Sequence, residues 1–192
     1  MDTRSVALVS VFSATWVASQ FYLGTLIGGT TSIHGVAQRF VGWLLMIVLA
    51  ELAGRFGRVS AMATVAALAT RMIRLQASLY VWTVGLGYIL GGLTFDLMFF
   101  LPAAKSLTGN KKRAYILTAS LLSGALALTP YISFKMLTLL PQAVGVWLAT
   151  YIPNAVLEVA LSVAGTLTGL SFAPLIKPWS SKRKNDGLPR IT

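Results

Sequence analysis

Runs of mainly apolar residues, each near the roughly 20 that a helix needs to cross a bilayer, recur from one end of this chain to the other. Six can be marked, over residues 5–27, 36–53, 59–73, 77–101, 114–136 and 153–176. The third is short, with basic residues on both flanks. Residues 137–152 are too polar, and too interrupted by Pro141 and Gly145, to make a seventh. They read as a cap lying in the interface. Pro153 suits the first turn of a helix, where a missing N–H leaves nothing unpaired. Charged residues make up 11% of the chain, against about 25% in a soluble domain. The first run has no evident signal-peptide cleavage site and is long enough to remain a span. The expectation is an all-α, polytopic integral membrane protein with six transmembrane helices. Residues 1–176 would form one domain, and 177–192 a basic tail ordered for only a few residues.

The cations orient this arrangement. Arg4, Arg55 with Arg58, Lys105 with Lys111, Lys112 and Arg113, and the cluster over 177–184 all fall on one side. The positive-inside rule makes that side cytoplasmic and places both termini there. Arg39, Arg71, Arg74 and Lys135 fall on the other side, either as interfacial anchors or as part of a binding mouth. Topology and anionic headgroups account for the formal charge of +11 without nucleic acid. No cysteine is present, which removes disulfides, thiolate metal sites and a Cys nucleophile. A single histidine, His34, removes bis-His haem ligation and speaks against a His-based metal site.

Glu51, Asp96 and Glu158 are the acids inside the apolar runs. Glu51 stands four residues before Arg55, the spacing of a helical ion pair. Asp96 lies near the Lys105 and Lys111–Arg113 cations, in a structural or a partner-docking role. Glu158 lies roughly 9 Å below the outer surface at 1.5 Å per residue from Pro153. It either contacts a ligand or pairs with Arg71 or Arg74. A carboxylate in a span costs a few kcal/mol, so function is its default reading. Asn154, one turn earlier, shares its helix face, and Gly165 and Gly169 allow close approach of another helix.

Polar and aromatic residues gather at the same outer level. Trp16, Gln20 and Tyr22 close the first run, and residues 28–35 form a glycine-rich polar loop containing His34. Arg71, Tyr80, Trp82, Tyr131, Lys135, Trp147 and Tyr151 add to them. An aromatic belt accounts for many of these, but not for Gln20, Asn154 and Glu158 below it. An aromatic-walled pocket with few polar groups suits a small heteroaromatic ligand. The candidate ligand-binding set is Gln20, His34, Arg71, Trp82, Tyr131, Trp147, Tyr151, Asn154 and Glu158.

Catalysis lacks a constellation: the chain has no H-E-x-x-H, G-x-S-x-G, P-loop or closely spaced carboxylate pair. The chain is expected not to be an enzyme, and to hold no metal or cofactor itself. Ser10, Ala14 and Ala18 form a small-residue stripe on the first run, with Ala7 a turn earlier, and Gly87 and Gly91 a G-x-x-x-G on the fourth. Either can pack within the molecule or against a partner.

In length, six spans, the Ser10-x-x-x-Ala14-x-x-x-Ala18 stripe, the glycine-rich run from Gly85 to Asp96 and the long loop before the last span, the chain resembles the substrate-binding S components of energy-coupling factor transporters. The resemblance implies capture of a vitamin or precursor at the outer face, between the first loop and the later helices. It implies docking through Ser10, Ala14 and Ala18 on a transmembrane coupling subunit that works with two ATPases, where ATP is used. The stripe departs from the family pattern in beginning with serine. A buried carboxylate among aromatics would suit thiamine or its hydroxymethylpyrimidine moiety, whereas the outer arginines would suit a carboxylated vitamin. The thiamine group is the expectation. The alternatives are a stand-alone carrier or channel, and a non-transport membrane scaffold.

Overall fold

The structure, a computed structural model, describes residues 3–28, 36–73 and 79–185, with side chains for 3–23, 37–73 and 79–176. Every element in it is a helix: α1 (Thr3–Gly28), α2 (Val36–Ala53), α3 (Arg58–Ile73), α4 (Leu79–Phe100), α5 (Pro102–Ser106), α6 (Gly109–Leu126), α7 (Thr129–Thr138) and α8 (Pro141–Asn185). Four stretches are long and apolar enough to cross a membrane, Thr3–Leu23, Leu79–Phe100, Gly109–Thr138 and Pro141–Ile176. Large apolar side chains such as Val11, Leu86, Val146, Val156, Leu167 and Phe172 are exposed on the outside of the bundle. That pattern belongs to a protein solvated by lipid. The chain is a helical membrane protein.

Glycine sets how closely the helices approach. On α4, a Cβ at Gly87 would collide with the Ala127 carbonyl oxygen, and one at Gly91 would come 2.9 Å from the Ala127 Cβ. The G-x-x-x-G face of α4 therefore packs within the molecule. On α8, Gly165 lies against the Phe40 carbonyl and Gly169 against Leu44 and Ile47, so α8 lies closely along α2. Hydroxyls join α8 to α6, where Ser120 Oγ donates to the Ser162 carbonyl at 3.0 Å and meets Thr166 Oγ1 at 2.7 Å. Trp16, Trp43, Met46, Ile47, Met62 and Phe95 fill the centre.

Two departures from the sequence reading concern proline. The expected fifth span breaks at Ala127–Leu128, because Pro130 has no N–H for the Leu126 carbonyl. Thr129 Oγ1 donates to that carbonyl instead, at 2.8 Å. The expected interfacial cap is the end of α7 and the first turns of α8, with Pro141, not Pro153, in the opening turn. Proline inside a membrane helix is tolerated where packing and local adjustment satisfy the freed carbonyl, and α8 runs on through Pro153. It also continues to Asn185, into the segment expected to lose order soon after 177. At 1.5 Å per residue α8 spans roughly 68 Å, about twice a bilayer's apolar core.

At one end of the bundle, Asp96 of α4 holds the start of α3. Its Oδ2 accepts from the Gly57 N–H at 2.8 Å, the Ser60 N–H at 3.1 Å and the Ser60 hydroxyl at 2.8 Å. Gly57, at φ 88°, supplies the turn that aims its N–H there. Asp96 thus serves as a helix cap borrowed from a neighbour. Glu51 of α2 meets Lys112 of α6 at 3.6 Å.

Candidate functional site

The opposite end contains a buried polar centre built around Tyr88. Its ring, 3% exposed, is met edge-on by Trp16 at 5.4 Å and lies 6.5 Å from Trp43. Two guanidiniums stand over it, Arg39 at 5.5 Å and Arg71 at 5.9 Å. Arg39 lies between two rings, since Trp43 is also 5.5 Å away. Such cation–π contacts strengthen when desolvated, and Arg39 and Arg71 are 4% and 6% exposed.

Missing side chains make the room. A Cβ at Gly85 would come 2.9 Å from Arg71 Nε, and one at Gly42 would come 2.7 Å from the Trp16 ring. Arg39 Nε pairs with Glu158 Oε2 at 3.0 Å, and its Nη1 donates to the Gly124 carbonyl at 3.2 Å. Arg71 Nε donates to the Val81 carbonyl and its Nη1 to Gln20 Oε1, each at 3.2 Å. Trp43 Nε1 donates to Ser123 Oγ at 2.8 Å. Gln38 Nε2 donates to the Gln20 carbonyl at 3.2 Å. Helices α1, α2, α3, α4, α6 and α8 all contribute, so the centre ties the bundle together.

Beside it stands an aromatic wall on α7 and α8. Trp147 and Tyr151 stack at 4.9 Å and 13°, and Tyr131 leans on them at 6.1 and 5.4 Å. Lys135 lies 6.0 Å from the rings of both Tyr80 and Tyr131. Tyr151 is seven residues, two helical turns, from Glu158, which puts wall and centre on one face of α8.

Of the residues singled out in the sequence, Gln20, Arg71 and Glu158 enter the centre, and Tyr131, Trp147 and Tyr151 form the wall. Asn154 is exposed and does not join Glu158. Trp82 is 43% exposed on the outside of α4. His34 and Arg74 lie outside the described residues. Glu158 pairs with Arg39, a partner the sequence reading did not name. The sequence reading missed Tyr88 altogether; the signal was a tyrosine set among Gly85, Gly87, Gly91 and Gly92, where the backbone neighbours come close. Ser10, Ala14 and Ala18 are exposed along α1. Among the described residues no group of three or more His, Asp or Glu could hold a metal ion.

Fold and centre together define a helical membrane protein with charges and hydrogen-bonding groups buried at one end of its bundle. Compared with protein-family models, curated proteins and solved structures, the chain finds no match.

Proposed function

We propose that this chain is the membrane-embedded, substrate-binding subunit of an ATP-driven uptake transporter, in the manner of the energy-coupling factor S components. The observation that carries the reading is the buried Arg39–Glu158 and Arg71–Gln20 centre beside the Tyr131–Trp147–Tyr151 wall. Charge this deep in an apolar bundle marks a site rather than a scaffold, and stacked rings suit a small heteroaromatic vitamin or precursor. A cationic thiamine-like ligand draws less support than the ring itself, because Glu158 is already engaged by Arg39. Helices α2 and α3 count as shorter spans, which gives six, with both termini cytoplasmic in the cell membrane and the centre at the outer face. The exposed Ser10, Ala14 and Ala18 stripe is the surface for a transmembrane coupling subunit, with the two ATPases beyond it.

Mass spectrometry of small molecules that co-purify with the chain, and uptake in liposomes with and without the coupling subunit and ATPases, test this. A retained ring compound, with uptake only in the ATPase-containing vesicles, is the expected result. Uptake by the lone chain would make it a carrier or channel. No bound molecule and no associated ATPase pair would leave a scaffold.

A further inference from the structure

The buried centre holds hydrogen-bond donors that the protein leaves unused, and they lie on one face of α1. Gln20 and Trp16 are one turn apart and 2% and 0% exposed. Among the described residues neither Gln20 Nε2 nor Trp16 Nε1 has a hydrogen-bond partner. A buried donor without an acceptor is destabilising, and natural structures keep few of them. Gln20 is fixed in that state by its other amide atom, since Oε1 accepts from Arg71 Nη1 at 3.2 Å. Reversing the amide would satisfy nothing: it would point an NH₂ at a guanidinium, donor against donor.

The charges point the same way. Two guanidiniums, of Arg39 and Arg71, lie over the Tyr88 ring, while Glu158 is the one carboxylate shown paired there. Lys135 adds a further cation at the adjoining wall. Unpaired groups that are all donors, in a net positive and desolvated setting, are complementary to an acceptor-only group.

We propose that this centre binds an organic anion, taking the carboxylate of its ligand on Gln20 Nε2 beside Arg71, with Trp16 Nε1 as a second donor a turn away. The assignment rests on the reading of this end as a ligand site, and it names the chemical class of that ligand as a ring-bearing carboxylate. Glu158 then serves to hold Arg39, and does not receive a cationic ligand.

Three probes on one ring separate the possibilities: benzoate, benzamide and benzylammonium, tested by thermal unfolding of the purified full chain in detergent. Benzoate is expected to raise the unfolding midpoint and the other two to leave it. The decisive variant is Gln20→Glu, which replaces the unpaired donor with an acceptor and sets a carboxylate against Arg71. It is expected to unfold no earlier than the parent chain and to weaken benzoate about tenfold or more. Trp16→Phe keeps the ring, removes the N–H and should weaken benzoate by a smaller factor. Stabilisation by benzamide or benzylammonium equal to that by benzoate, no shift with benzoate, or an undiminished benzoate effect in Gln20→Glu would each overturn the anion assignment. The binding-subunit reading is judged apart from it, by whether any small molecule, of whatever charge, co-purifies with the chain.

Discussion

Arg39 can sit between the Trp43 and Tyr88 rings because Glu158 stands 3.0 Å from its Nε and the Gly124 carbonyl 3.2 Å from its Nη1. Removing one partner of a buried pair strands the other, at a cost of about 3–5 kcal/mol. Glu158→Ala should therefore lower the unfolding midpoint sharply, and Arg39→Leu with Glu158→Leu should cost less than the two single changes summed. Denaturant titration of the four forms in detergent gives that coupling. Asp96 should behave differently. Its Oδ2 takes the three bonds from Gly57 and Ser60, while Oδ1 has no hydrogen-bond partner among the described residues. Asp96→Asn can keep the accepting oxygen in place, so it should cost well under the roughly 1–3 kcal/mol expected of Asp96→Ala, which leaves the buried donors unmet. Equal losses in the two would mean that the charge at the α3 N-terminus, not the hydrogen bonds, holds the turn. Sequence alone marked Glu158 and Asp96 as embedded but could not pair them. Helical spacing tells which face a residue occupies, not which helix lies opposite; α8 happens to lie along α2, and that brought Arg39.

At the scale of the helices, close packing rests on positions where any side chain would collide with backbone. In a membrane the apolar effect gives helices little reason to associate, so contact and shape carry more of the stability. A Cβ at Gly165 would stand 2.2 Å from the Phe40 carbonyl oxygen. Gly165→Val should therefore push α8 off α2 and disturb the Arg39–Glu158 pair, whereas Val at Leu167, which is exposed on the outside of α8, should not. Gly165 and Gly169 were recognisable as contact points from their spacing. The α7–α8 boundary was not, because Pro141 and Pro153 give the same local signal and the surrounding packing decides which one begins a helix. The break before α7 has its own test. Thr129→Val removes the hydroxyl that serves the Leu126 carbonyl, and should cost about 1 kcal/mol without altering the helical signal in circular dichroism.

Over the whole molecule, small residues divide by where they point. Gly87, Gly91 and Gly92 of α4 are used internally, pressed against Ala127, Ser123 and Ala63. Ala14 and Ala18 of α1, in a pattern equally readable from the sequence, are left on the outside. Lipid accepts any apolar side chain at such a face, so lipid contact alone gives no reason for alanine there. A partner helix at short range does. Ala14→Phe separates the two cases. The residue is exposed, so the fold should keep its stability to within about 0.5 kcal/mol, and ligand retention by the lone chain should not change. If α1 is the docking surface, the bulky ring should prevent association with the coupling subunit and abolish ATP-dependent uptake in reconstituted vesicles, while Leu86→Phe on the outward side of α4 leaves uptake intact. Uptake unchanged in Ala14→Phe would return the stripe to the lipid and move the search for the docking surface to another outward face.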